Sequence, residues 1–380
     1  MMPQHLCFTA FSAEEIADKF RENTRINPTL GIIFSSVSLD IPTLANPASS
    51  FNIPIFGCST AGEILTVDEE PPMHEQSAAC CFLELDPSLF SISLFERNEE
   101  DCYEFGVRIA EWGKNEFQDP AFIITVSGLT NDGDALIRGI RAASPPGTGI
   151  YGGLAGDDSQ FKDTFVFSHT GFSTNGAAVL VFDRSRVKID GLVTSGWTGV
   201  GAEMEVTSSD GNVVYTINNR PATEVVREYL GVQEENFVEV AVTFPLLLKR
   251  PDGTEVLRAA LSADFSAGSI TYAGTVPQGT RVRFSSSFGY ETIESSIKDI
   301  KNFHSHHTLA DIVLAFSCVA RHYAAGSLVN DEIQAALDLW NHPLIGFFTY
   351  GEIGHNIHGV CDFYNESLSL VLIRFTSGKP

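Results

Sequence analysis

Positive charge is scarce in this 380-residue chain: 24 Lys and Arg stand against 48 Asp and Glu, a formal net charge of −24. Such a surface repels phosphate backbones and anionic lipids, so nucleic-acid binding is disfavoured and the acid excess reads first as solubility. Long hydrophobic runs are missing too. No stretch approaches 18 continuous apolar residues, which argues against a membrane-spanning helix and membrane insertion. The opening MMPQHLCFTAFSAEEIADKF lacks the basic-then-apolar order of a secretory signal. Cysteine is limited to seven residues with no C-x-x-C pair, and most sit in apolar segments. That pattern fits a reduced, cytoplasmic protein with buried thiols better than a disulfide framework. There is no P-loop, no dinucleotide fingerprint and no recognisable catalytic triad. GCSTAG at 57–62 is one residue too long for a nucleophile elbow.

The chain is 43% hydrophobic, enough for sizeable cores, and its length suggests two domains. Its most informative feature is self-similarity. IPIFGCSTAGEI (53–64) and HPLIGFFTYGEI (342–353) align without a gap, and IYGGLAGDD (150–158) repeats the theme one residue shorter. Each is an apolar run ending in a glycine turn closed by a carboxylate: Glu63, Asp157 or Glu352. A glycine turn at a strand end lets main-chain N–H groups approach a ligand, and a carboxylate beside it supplies charge.

Ser12-Ala13-Glu14-Glu15 reads as a capping box opening a helix to about Asn23. LGIIFSS (30–36), SAACCFLEL (77–85), FSISLFE (90–96), AFIITVSGL (121–129), TFVFSH, GAAVLVF, VKIDGLVTSG and DIVLAFSC (311–318) read as strands. Helices are expected over 100–114, after Asp132 or Asp134, from Pro221, over 291–303 and over 331–340. The proline-rich stretch 41–54 is unsuited to one good helix. Residues 237–285, including FVEVAVTFPLL and the Pro251-Asp252-Gly253 turn, read as strands and turns. The expected fold is therefore α/β: two domains, 1–213 and 214–380, with mixed or mostly parallel sheets flanked by helices and internally repeated strand–helix–strand–glycine-turn units. All three turns would lie at the carboxyl ends of strands, where ligands tend to bind.

Other candidates carry chemistry of their own. Cys58 and Cys318 follow strands and could be nucleophiles, but buried thiols are the plainer reading. His304, His306 and His307 read as a solvated turn. Glu352, His355 and His358 have metal-ligand spacing only in a helix, which Gly351, Gly354 and Gly359 oppose, so no metal is expected.

Over nearly its full length the chain resembles the FIST family of bacterial sensory proteins. GCSTAGEI (57–64) and GGLAGDD (152–158) resemble hallmarks of its N-terminal domain. NNRPATEVVREYLG (218–231), VPQGTRVRF (276–284), SCVAR (317–321), GFFTYGEIG (346–354) and YNESLSLVL (364–372) resemble its C-terminal domain. The resemblance implies sensing of a small polar ligand, possibly an amino acid, without catalysis. Family members are often fused to output domains; a chain filled by the two sensory domains would signal to a separate partner, such as a histidine kinase or diguanylate cyclase. The candidate ligand-binding residues are Gly57, Ser59, Thr60, Gly62, Glu63, Gly153, Asp157, Arg321, Tyr350, Gly351, Glu352 and Asn365. Arg321, past the strand DIVLAFSC, could grip a carboxylate through two hydrogen bonds or form a structural ion pair. No cofactor is expected. The alternative is a haem-based gas (nitric oxide) sensor with His169 as axial ligand among Phe161, Phe165, Phe167 and Phe172. An enzyme using the turn carboxylates or Cys58 is the remaining alternative.

Overall fold

A computed structural model describes residues 4–23, 25–45, 53–66, 71–250 and 253–376. The middle of the proline-rich stretch and Pro251-Asp252 of the expected turn lie outside the described residues.

Three six-stranded sheets are built on one plan. The first orders Gln4–Ala10, Ala78–Glu84, Leu30–Ser35, Ile55–Ser59, Val166–Ser168 and Gly171–Ser173. The second orders Phe90–Glu96, Gly176–Asp183, Pro120–Val126, Ile150–Leu154, Glu352–His355 and Cys361–Tyr364. The third orders Val187–Thr194, Leu368–Phe375, Ile312–Cys318, Leu344–Thr349, Glu63–Leu65 and Met73–His74. In each, the third and fourth strands are parallel. All other neighbours are antiparallel. The sheets are mixed, but the expectation of mostly parallel ones is corrected. Each sheet contains one strand–helix–strand crossover, and its remaining strands return by hairpins and reversals.

The last two strands of each sheet come from elsewhere in the chain. The strands after the first glycine turn join the third sheet, those after the third turn join the second, and those after the second turn join the first. The sheets thereby exchange strands in a cycle. Strands from both halves of the chain share sheets.

One face of every sheet points inward. Phe34 and Phe56, Ile123 and Leu180, and Phe316 and Phe347 bring the three sheets into one apolar centre, with the rings of Phe34 and Phe347 4.7 Å apart. Helices cover the outer faces. Ala13–Glu22 and Ile41–Leu44 pack on the first sheet, Cys102–Glu116 and Gly133–Ala143 on the second, and Tyr290–His306 and Val329–Trp340 on the third. This inward–outward split explains the continuous apolar runs: both faces of these strands are buried. Local chemistry agrees with the ends. Ser12 accepts from Glu15 N and Asp132 from Asp134 N and Ala135 N.

Between Val187–Thr194 and Tyr290–His306 lies a β-rich body with its own core of Val206, Ile270, Val282 and Phe284. Here FVEVAVTFPLL departs from its strand reading: Phe237–Ala241 is a short helix. Its β-branched residues suggested a strand, but burial of Phe237 and Ala241 at i and i+4 favours the helix.

Candidate functional site

The three glycine turns meet. Ala61 N donates to Phe348 O (2.9 Å) and Phe348 N to Gly62 O (2.8 Å). Tyr350 N donates to Leu154 O (3.1 Å) and Leu154 N to Gly351 O (2.8 Å). Gly156 N donates to Ser59 O (3.1 Å) and Asp158 N to Thr60 O (2.8 Å). The turns converge, but these amides bond to one another's carbonyls, so the expectation that they face a ligand is corrected. Strand exchange is the cause, because it sets each turn against the next turn's carbonyls.

The glycines serve close approach. A Cβ at Gly57 would lie 2.1 Å from Ile33 O, one at Gly152 1.8 Å from Ile124 O, and one at Gly346 1.7 Å from Ala315 O. Each is the register partner of the residue that crowds it in the parallel pair. Gly153 packs against Thr349, and Gly62 and Gly351 adopt φ of +124° and +155°.

Glu63 and Glu352 are fully buried in matching surroundings. The Thr60 hydroxyl donates to Glu63 Oε1, and Ser77 donates to Oε2 through Oγ (2.7 Å) and N (3.2 Å). The Thr349 hydroxyl donates to Glu352 Oε1, and Ser367 donates to Oε2 through Oγ (2.7 Å) and N (3.2 Å). Each glutamate ties its turn to the start of a later strand. Burial, only partly offset by these bonds, pushes Glu63 up to about 7 and Glu352 to about 8. Asp157 braces its own loop, accepting from Phe161 N, Lys162 N and Asp163 N and from the Tyr350 hydroxyl. Ser59 Oγ donates to Gly156 O (2.6 Å) and accepts from Phe165 N (2.8 Å). Ser77 and Ser367 were not singled out from sequence. The signal was available, because a serine follows each glutamate by 14 or 15 residues, preceded by Gln76 or Glu366.

Arg321 is also fully buried. Its Nε donates to Glu332 Oε2 (3.0 Å), its Nη2 to Glu332 Oε1 and its Nη1 to Ser195 O, while its plane lies over the Trp197 ring at 5.2 Å. Of the two readings of this residue, the structural ion pair is the one formed.

Beside this pair the third sheet holds unsatisfied polarity. Glu366 is fully buried with φ of +53°. Among the described residues neither of its carboxylate oxygens has a hydrogen-bond partner. The same holds for Asn365 Oδ1, Trp197 Nε1, Ser317 Oγ and His322 Nδ1. Burial and then Glu352 push Glu366 up to about 8, with Arg321 acting in the opposite direction. Buried polar atoms without partners are uncommon and costly, so each calls for an explanation such as strain, a functional role or a bound water or ion. Of the sequence candidates, Asn365, Glu352 and Arg321 are brought to this place. Gly57, Ser59, Thr60, Gly62, Glu63, Gly153 and Asp157 belong to the turn ring or the first brace.

The remaining candidates fall elsewhere. Cys58 and Cys318 are buried and their thiols are pushed far up, the opposite of an activated nucleophile. The expectation of a solvated turn is corrected for His304 and His306, which lie in the last turn of the helix Tyr290–His306, with His307 as its C-cap. Glu352 and His355 share one strand three residues apart, so they face opposite sides. Among the described residues no group of three His, Cys, Asp or Glu could hold a metal ion. His169 sits at the exposed tip between Val166–Ser168 and Gly171–Ser173, with Phe167 buried in a core and Phe161 stacked on Tyr350. Those positions do not form the apolar walls that an axial haem ligand needs.

The same stretches match known domains. Residues 29–220 match the FIST N domain and 222–355 the FIST C domain. The chain belongs to the FIST family, whose domains are associated with sensory signalling and ligand binding and are not known as enzymes. No curated protein matches it. The second match ends before YNESLSLVL, so Asn365 and Glu366 lie beyond it. No helix among the described residues is long and apolar enough to cross a membrane.

Proposed function

We propose that this protein senses a small amine-bearing molecule, most simply an amino acid, at the Asn365–Glu366 end of the third sheet. The observation that carries this is Glu366: a buried carboxyl whose two oxygens lack partners, beside the unpartnered Asn365 Oδ1. An ammonium group offers three donors to such acceptors, and the free Trp197 Nε1–H can meet an anionic or carbonyl group on the same guest. Glu352 and Arg321 act as positioning residues. Glu352 fixes the turn through Ser367, and Arg321 holds Trp197 and the Ser195 carbonyl. The three sheets are read as copies of one strand–helix–strand–glycine-turn unit, of which the third has kept the binding role. Trp197 lies where the third sheet leads into the β-rich body, so occupancy can bias how that body is held. The output is a separate signalling protein, such as a histidine kinase or diguanylate cyclase, in the cytoplasm.

A thermal-shift screen of the proteinogenic amino acids and simple amines tests this reading. A true ligand raises the melting temperature in step with its concentration. Glu366→Gln should weaken that ligand at least tenfold, measured by calorimetry, and Gln suits the backbone because Gln76 has the same φ of +53°. Wild-type affinity tightening as pH rises from 6 to 8 is the second expectation, since a protonated Glu366 cannot pair with an ammonium. A hit that binds Glu366→Gln equally well would remove the site, and a Soret band in purified protein would replace an amine sensor with a haem one.

A further inference from the structure

A pocket lies elsewhere whose charge runs against that of the whole molecule. It measures about 830 Å³ and opens between the helix Gly133–Ala143 and the β-rich body, whose wall comes from Leu246–Lys249 and the 275–281 turn. Six cationic side chains line it: Arg138, Arg141, Lys249, Arg250, Arg258 and Arg281. Two acids, Asp134 and Asp362, share the lining. Acids outnumber bases two to one in the chain, yet bases outnumber acids three to one here.

The two acids are already committed. Asp362 pairs with Arg250, and Asp134 accepts from Thr275 Oγ1 at 2.5 Å and lies 3.6 Å from both Arg258 and Arg138. Arg258 is buried, with its guanidinium donating to Leu257 O and Phe363 O. Together these pairs make a fixed floor. Arg281 is held by Glu205 at 3.2 Å. Arg141 and Lys249 are different. Among the described residues neither side chain has a hydrogen bond or ion pair, and they stand on the two walls, one on the helix and one on the strand.

We infer that this pocket is a second ligand site that takes a compact polyanion, a small metabolite carrying two or more phosphate or carboxylate charges. Free cations on two walls above a floor of paired charges can grip such a guest from both sides, and guanidinium groups suit both kinds of anionic oxygen. The volume falls within the range of small-molecule sites. No aromatic ring lines the pocket, so recognition rests on charge and not on stacking. A monoanion, or an extended nucleic-acid strand repelled by the surrounding acid, gains little. The site is independent of the Glu366 site, and either can exist without the other.

Calorimetry on the full chain tests the inference with pyrophosphate and citrate as probes and acetate at matched ionic strength as control. At least one probe should bind at least tenfold more tightly than acetate. The double substitution Arg141→Gln and Lys249→Gln should cost tenfold or more in that affinity and flatten its salt dependence. Both side chains are exposed and unpaired, so the variant should keep its circular dichroism and its melting temperature without probe. Arg141→Lys should keep most of the binding. A pyrophosphate-only or citrate-only result assigns the phosphate or the carboxylate class. Neither probe exceeding acetate, or a double variant that binds as wild type does, would overturn the site.

Discussion

Gln76 and Glu366 hold equivalent places at the first and third turns. Each precedes the serine that bonds to a buried glutamate, and each has φ of +53°. Gln76 is exposed; Glu366 is fully buried and unpartnered. The neighbouring pair Ser36 and Cys318 differs as well. Each donates its N–H to the serine's carbonyl, at 2.8 and 2.9 Å. In the first sheet, however, Ser36 Oγ is satisfied by Asp158 Oδ2 at 2.7 Å. The common part, Thr–Glu–Ser, is therefore architecture. The part that differs is where a ligand-specific role can reside.

The largest effects should be alike at both turns. Gly57→Ala and Gly346→Ala each drive a Cβ into a strand carbonyl and should cost about 3 kcal/mol or more by urea unfolding. A cost under 1 kcal/mol at either position would mean that the parallel pair can part there. Next come Glu63→Ala and Glu352→Ala. Each strands two buried hydroxyls and an N–H, for a loss of about 2–4 kcal/mol. Similar losses support a shared brace, whereas a loss of ligand affinity without loss of stability at Glu352 would return it to the binding role.

A difference in slope, not in overall stability, separates the turns through pH. Glu366 is raised from 4.5 to about 8, so the folded chain keeps a proton that the unfolded chain releases. Its contribution to stability is full below about pH 4.5 and is lost as pH rises through about 8. Such a group contributes a slope of up to about 1.4 kcal/mol per pH unit between those limits. Glu366→Gln should flatten the fall of stability measured from pH 5 to 8, whereas Gln76→Glu, at an exposed site, should change stability by no more than about 0.5 kcal/mol. Equal slopes in wild type and Glu366→Gln would show that Glu366 titrates normally.

Much of this was legible in the residues. The glycine turns and most strands and helices follow from apolar runs, caps and turn residues, whereas whether the turns share one place does not. Gly57, Ser59 and Thr60 read as ligand contacts because sequence marks where backbone can be approached but not what fills the space. Here a neighbouring strand fills it. Glu63 and Glu352 find their serines only across a hairpin that has crossed to another sheet, which local pattern reading does not reach. Arg321 and Glu332 are 11 residues apart but on separate helices, Val319–Ala325 and Val329–Trp340. Glu366 drew no attention because its isolation is a property of burial, not of spacing.

The cyclic exchange of strands also orders events during synthesis. The second sheet has most of its strands by residue 183, yet the edge of Ile150–Leu154 finds its partner only in Glu352–His355, some 200 residues later. Until then that edge presents open main-chain groups, a template for mispairing with another nascent chain. Ribosome-bound fragments ending before residue 352 should therefore be protease-sensitive across 120–154, and protection should arrive only once the late hairpin has emerged.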